Sequence, residues 1–93
     1  MTVCSAEIDF HIPHARSLKD KRMISRSLTD RLRHKFNVSV AETDNCDLCQ
    51  MLSVGIAVVS GSACHARSML DNIIAYAEQS TDAEITRITR YEN

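Results

Sequence analysis

The first segment of the chain alternates strictly between apolar and polar residues. The apolar side chains fall on one face, namely Cys4, Ala6, Ile8, Phe10 and Ile12. A period of two is typical of a strand with one buried face. Pro13 ends the pattern, because proline has no amide hydrogen to donate to a sheet. We therefore predict a half-buried strand over residues 3–12.

Two later segments have the period of a helix instead. In the first, apolar residues share one side, at Leu18, Ile24, Leu28, Leu32 and Phe36, as in an amphipathic helix. Ser17 and Asp20 resemble a capping box at its start. The second follows the turn formers at 60–62 and has its apolar stripe at Ala63, Ala66, Leu70, Ile73, Ile74 and Ala77. Both are predicted to pack one face on a core.

Three further segments are predicted strands, over residues 38–43, 51–59 and 83–91. The second is almost wholly apolar and rich in Val and Ile, as a central strand is. The resulting order is strand, helix, strand, strand, helix, strand, which is the ferredoxin-like split β-α-β arrangement. We predict one α+β domain over residues 1–93, with an antiparallel sheet in the order 4-1-3-2. Right-handed crossovers put both helices on one face and leave the other face open.

The distribution of charge along the chain is more informative than its overall composition. Hydrophobic content of 44%, charged content of 25% and a net charge of -1 are those of an ordinary globular protein. However, residues 16–35 contain eight basic and two acidic residues, so the rest of the chain is net acidic. This asymmetry indicates a partner for the first helix.

On a helical wheel, four of these cations lie together opposite the apolar side: Lys19, Arg22, Arg26 and Arg33. We call them the basic stripe. It is roughly 20 Å long at the helical rise, which suits several backbone phosphates. The candidate function is therefore RNA binding through the first helix. The alternative is a solvated face on which Asp30 pairs with Arg26 or Arg33.

The open sheet face supports a different hypothesis. Its predicted outward residues on the two central strands are small, acidic or apolar: Ser5, Glu7, Asp9, His11, Ser53, Gly55, Ala57 and Val59. No aromatic side chain is among them, so base stacking of the RNA-recognition-motif kind is rejected. Such a face instead permits close packing of a second copy, and a homodimer without nucleic-acid binding is the rival prediction. We interpret Glu7 and Asp9 as part of a polar outer face and predict no enzymatic activity.

The chain has four cysteines, and two of them form a Cys46-Asp47-Leu48-Cys49 motif. In the predicted topology it lies at the same end of the sheet as His11 and His14. A Cys2His2 zinc site is one interpretation of these four residues. Two loop thiols and two surface imidazoles are the favoured one, so no metal or cofactor is predicted. Cys4 and Cys64 are predicted to be packing residues.

Several blocks of the sequence resemble the YlxP-like family, a bacterial domain of unknown function. They are His11-Ile12-Pro13, residues 17–22 and 36–42, then Asp44, Asp47-Leu48 and residues 55–60. The resemblance implies a ferredoxin-like fold and a dimer. Genes of that family often lie beside translation-initiation and ribosome-maturation genes, which implies a ribosomal partner. Cys46 and Cys49 depart from the family pattern, where a glutamine-like residue and a tryptophan are expected.

The sequence contains no apolar run long enough for a membrane span. Its N-terminus lacks the basic and apolar regions of a signal peptide. We therefore expect a cytoplasmic protein whose cysteines are thiols.

Overall fold

The computed structural model describes residues 1–92 and contains four strands and two helices within that range. In chain order they are β1 (Thr2–His11), α1 (Leu18–Lys35), β2 (Ser39–Asp44), β3 (Met51–Ser60), α2 (Ala63–Gln79) and β4 (Glu84–Glu92). The predicted order of elements is confirmed, and the predicted boundaries are correct to within about two residues.

The four strands form one antiparallel sheet in the order β2-β3-β1-β4, which is the predicted order. The central pair runs in continuous register from Thr2 opposite Ser60 to His11 opposite Met51. Each edge pair contains one irregularity, in β4 opposite Asp9/Phe10 and in β2 between Glu42 and Asp44. The fold is thus the ferredoxin-like α+β arrangement.

The core lies between one face of this sheet and the two helices. The alternation in β1 buries Cys4, Ala6, Ile8 and Phe10, and the facing positions of β3 are buried as well. The helices add Leu28 and Leu32 from α1, and Ala66, Leu70, Ile73 and Ala77 from α2. Because both helices cover the same face, the outer face of α1 and the open sheet face lie on opposite sides of the molecule.

Lys21 is the one charged residue among the buried side chains of the described chain, with 1% exposure. Its ammonium nitrogen donates to the carbonyl oxygens of Asn45 and, at 2.9 Å, Leu48. The same nitrogen lies 3.0 Å from Glu42 Oε2, a buried atom with no hydrogen bond of its own within residues 1–92. Lys21 therefore joins α1 to the hairpin between β2 and β3 and offsets the burial of Glu42.

Candidate functional site

The first turn of α1 fixes which side chains reach its outer face. The Ser17 hydroxyl accepts a hydrogen bond from the Asp20 amide at 3.1 Å, as an N-cap does. The Asp20 carboxylate accepts from the Arg16 amide at 3.0 Å, one residue before the position that a capping box uses. From this start the helical period places Leu28 and Leu32 in the core and the basic stripe on the opposite side.

Three members of the basic stripe are exposed and form no ion pair within residues 1–92. They are Lys19, Arg22 and Arg26, which we call the basic triad. They follow one another along α1 over a length of about 10 Å. Met23, which is 65% exposed, and Ser27 lie beside them in the same shallow depression, which Asp30 also lines. The surface therefore combines three cations that have no ion pair, one exposed apolar side chain and the carboxylate that pairs with Arg33.

The fourth member, Arg33, is engaged elsewhere. One guanidinium nitrogen donates to the Val40 carbonyl oxygen at 2.6 Å, and another lies 3.5 Å from Asp30. The carboxylate that was expected beside Arg26 or Arg33 is thus beside Arg33. Contact with Val40 joins the end of α1 to the edge strand β2. Arg33 consequently has less freedom to meet a ligand than the triad has.

The charges of α2 are used differently from those of α1. Arg67 donates a bidentate hydrogen bond to the Glu92 carboxylate on β4, with N–O distances of 2.7 and 3.1 Å. This contact raises the pKa of Arg67 and lowers the pKa of Glu92, chiefly through the hydrogen bond itself. Asp71 accepts from Arg90 at 2.6 Å. The second helix therefore offers no lysine or arginine without an ion pair in the described chain.

The open sheet face carries small residues in its middle and an exposed apolar residue at one end. Gly55 and Ala57 form its floor with Ala41 of β2. A Cβ at Gly55 would come within 2.5 Å of Thr43 Cγ2, so glycine is what lets the two strands' side chains coexist here. Val59 is 64% exposed at the apolar end. The face is shaped for close approach of another surface.

Tyr91 is the residue of this face that the sequence did not reveal. It lies on the edge strand β4 opposite Ser5, and 57% of it is exposed. The prediction that the face lacks aromatic residues considered only the two central strands. The weak alternation of β4 concealed the direction of Tyr91. A single aromatic at the edge still does not make the row of stacking platforms that an RNA-recognition sheet has.

The acidic side chains of β1 are hydrogen-bonded within the protein. Thr43 donates its hydroxyl to Glu7 Oε2 at 2.6 Å. Ser53 donates to Asp9 Oδ1 at 2.7 Å, and the Asn45 side-chain amide donates to the Ser53 oxygen at 2.8 Å. These contacts support the interpretation of Glu7 and Asp9 as structural polar groups.

The four residues considered for zinc lie around one end of the sheet but do not form a ligand group. Within residues 1–92, no three His, Cys, Asp or Glu side chains converge as ligands of one ion. Cys49 Sγ is directed towards the Ala15 carbonyl oxygen, 3.9 Å away. Cys46 and His14 are exposed. Cys4 is buried as predicted, whereas Cys64 is exposed on α2, so the prediction that it packs in the core is wrong.

Fold and surface together define a small ferredoxin-like domain with a basic first helix and a bare sheet face. Residues 3–90 match the family described as "Protein of unknown function (DUF503)". The uncharacterized protein YlxP of Bacillus subtilis (strain 168) is 38% identical over 87 residues, which is 94% of each chain. The chain therefore belongs to this family, and the resemblance noted in the sequence is confirmed. No helix within the described residues has the length and apolarity to cross a membrane.

Proposed function

We propose that this protein is a non-enzymatic, cytoplasmic RNA-binding module that contacts the phosphate backbone through the basic triad, with ribosomal RNA as the partner. The observation that carries the proposal is that Lys19, Arg22 and Arg26 are exposed and have no ion-pair partner within residues 1–92. Cations whose charge is not already neutralised are the ones that displace counterions from a nucleic acid.

The make-up of the triad also indicates how RNA is recognised. Arginine offers two parallel N–H groups to a phosphate, and two of the three residues are arginines. No aromatic side chain accompanies them in the depression, so stacking contributes nothing there. Contacts of this kind position a protein on the backbone without reading bases. The proposal therefore includes weak dependence on RNA sequence.

The test is co-sedimentation with purified ribosomal subunits, together with fluorescence anisotropy on a labelled ribosomal RNA fragment across a salt series. The variant is Lys19→Glu/Arg22→Glu/Arg26→Glu. For three phosphate contacts we expect log K against log salt to have a slope of about −2 to −3. The triple variant should neither pellet with subunits nor bind the fragment at moderate salt.

Arg87 supplies the matched control for a single charge reversal. Like Arg22 it is exposed and unpaired within residues 1–92, but it lies on β4 opposite Asp9. Arg22→Glu should weaken binding, whereas Arg87→Glu should leave it unchanged. Equal losses from both variants would mean that only net charge matters, and unchanged binding by the triple variant would refute the proposal.

A second candidate function is supported by the opposite side of the molecule. The open sheet face combines exposed Val59 and Tyr91 with the small residues Gly55 and Ala57. Apolar side chains beside a flat floor suit a second copy of the chain, because a two-fold axis parallel to the strands brings the apolar ends of both copies together. In this hypothesis the protein acts as a homodimeric interaction domain.

Sedimentation velocity over a range of protein concentrations tests the dimer. Ala57→Lys should produce a monomer at all concentrations, since its ammonium group would be buried in the floor of the interface. Lys19→Glu/Arg22→Glu/Arg26→Glu should still form the dimer, because the triad lies on the other side. A native protein that remains monomeric at high concentration would exclude this candidate and leave the RNA proposal untouched.

A further inference from the structure

The hairpin between β2 and β3 carries two cysteines at corresponding positions. Cys46 and Cys49 each begin the central pair of a turn, and the two turns follow one another directly. The Leu48 amide closes the first by donating to the Asn45 carbonyl oxygen at 3.1 Å. This turn brings the Cα atoms of Asn45 and Leu48, its end residues, within about 7 Å of each other. Cys46 and Cys49 each follow one of these residues directly, so the pair flanks a reversal of the chain. A disulfide requires their own Cα atoms to come to about 4.4–6.8 Å.

Lys21 holds both turns in place from inside the protein. The two carbonyl groups that receive its ammonium hydrogens belong to Asn45 and Leu48, the residues directly before the two cysteines. The Asn45 side chain is also fixed, through its hydrogen bond to Ser53. Because these contacts restrict the backbone next to both sulfur atoms, the thiols have less freedom to lose when they react with each other.

The two thiols differ in access, and this difference indicates which of them meets an oxidant first. Cys46 is exposed, whereas Cys49 is half-buried with its sulfur near the Ala15 carbonyl group. Redox-sensitive cysteines are accessible to small oxidants and lie close to a second, resolving thiol. Cys4 is buried in the core and Cys64 lies on α2, so neither is placed to compete for Cys46 within the same chain.

We propose that Cys46 and Cys49 form a reversible intramolecular disulfide, with Cys46 reacting first and Cys49 resolving. The oxidant is a small-molecule disulfide such as glutathione disulfide. The Cys46 thiolate attacks one of its sulfur atoms and releases one glutathione thiolate. The Cys49 thiolate then attacks Cys46 Sγ and releases the second. Two protein thiols become one disulfide, one glutathione disulfide becomes two glutathiones, and the two thiol protons pass to them.

Whether Cys46 and Cys49 are oxidised depends on the redox potential of the small-molecule thiols around the protein. In a reducing compartment the pair remains as thiols, and such disulfides are formed transiently as sensors. The inference goes beyond RNA binding and does not depend on it.

Mass spectrometry after equilibration in glutathione buffers tests the proposal. The background is Cys64→Ser, because trypsin releases residues 36–67 as one peptide that contains Cys46, Cys49 and Cys64. Free thiols are alkylated in denaturant after quenching. As the buffer becomes more oxidising, this peptide should lose both alkyl groups together and weigh less than its unalkylated form by two hydrogen atoms. Dithiothreitol should reverse the change.

Single substitutions in that background test the order of the two steps. With Cys49→Ser the mixed disulfide on Cys46 has no resolving thiol and should accumulate as a glutathione adduct. With Cys46→Ser, adduct formation on half-buried Cys49 should be several-fold slower. The assignment of Cys46 as the first thiol is wrong if the adduct forms equally fast in both variants.

Two results would overturn the proposal as a whole. One is that Cys46 and Cys49 stay alkylatable, or carry separate glutathione adducts, throughout the buffer series. The other is that the disulfide joins two chains, which a non-reducing gel reveals. Repeating the equilibration in urea measures the part played by the fold. The equilibrium constant for the internal bond should fall several-fold when the turns are no longer held by Lys21.

Discussion

The two helices lie side by side on one sheet face and begin alike, yet they use their charges in opposite ways. Both start at a serine whose hydroxyl accepts an amide hydrogen, Ser17 in α1 and Ser62 in α2. The outward cations of the basic triad have no ion pair within residues 1–92. In contrast, Arg67 and Asp71 of α2 both hold the edge strand β4.

The reason for the difference lies beneath α1. In the part of α1 that carries the triad, the link to the neighbouring strands comes from buried Lys21, which contacts Glu42 and the hairpin carbonyl groups. Arg33 adds a contact with Val40 near the end of the helix. Since the Lys21 connection is made on the inner side, the triad is not needed to hold a strand. A charged side chain that forms an ion pair with a strand is already neutralised. A charged side chain that faces water remains available to a ligand. A count of basic residues along a segment does not separate these two uses.

The largest effect on stability is expected from Lys21→Ala. It removes the one ion-pair contact of the buried Glu42 oxygen within residues 1–92, and the Asn45 and Leu48 carbonyl groups lose the hydrogen bonds from its ammonium group. Breaking a buried ion pair on one side costs about 3 kcal/mol or more. Urea unfolding measures this change in the free energy of unfolding.

Lys19→Ala and Arg67→Ala are the matched controls for that experiment. One removes an exposed unpaired lysine of α1, and the other removes the surface pair of α2. Both should change stability far less than Lys21→Ala does. If Arg67→Ala were as costly as Lys21→Ala, the contrast between an inner and an outer anchor would be wrong.

Intermediate effects are expected from the two caps, where the helices are alike. Ser17→Ala and Ser62→Ala each remove a side-chain acceptor from an amide at a helix start. The expected loss is about 1 kcal/mol in each case. Thermal unfolding of the two variants side by side measures it. A much larger loss at Ser62 would show that α2 depends on its cap where α1 relies on Lys21.

A smaller effect, dependent on pH, is expected from Glu92→Gln. Contact with Arg67 lowers the pKa of Glu92 from its ordinary value of 4.5. The stabilisation is therefore complete above that value and is lost as the pH falls through the lower pKa of the folded state. Melting temperatures of native protein and variant should differ slightly at neutral pH and converge in acid. A difference that persisted in acid would assign it to packing instead.

The smallest effect on stability is expected from reversing the basic triad. Because these side chains touch no carboxylate in the described chain, Lys19→Glu/Arg22→Glu/Arg26→Glu should leave the unfolding free energy close to native, each change contributing less than about 0.5 kcal/mol. The same variant should lose RNA binding. A large destabilisation would mean that the outer face of α1 is structural, like that of α2.

Much of the fold follows from periodicity in the sequence. The alternation in β1 and the apolar run in β3 identify the central strands, and their partners then follow from connection rules. Lys21 was also within reach, because Leu18, Lys21, Ser25, Leu28 and Leu32 recur at helical spacing on the core side. In the sequence analysis it enters only as one of the eight basic residues of segment 16–35. A lysine in an apolar stripe is a signal of a buried, paired ammonium.

The candidate site was predictable only in part, for a physical reason. The helical period alone placed Lys19, Arg22 and Arg26 on the outer face, because the direction of a side chain on a helix is a local property. It did not reveal that Arg33 binds the Val40 carbonyl group, since that contact depends on where β2 lies.

The elements, their order and the outward direction of the basic stripe therefore follow from local patterns in the sequence. The ion pairs, the place of Tyr91 on the open face and the contact of Lys21 with the turns at Cys46 and Cys49 depend on how the elements pack. Secondary structure reflects neighbours along the chain. Ion pairs and shared faces bring together residues far apart in sequence, and the packing of the whole domain sets their distances.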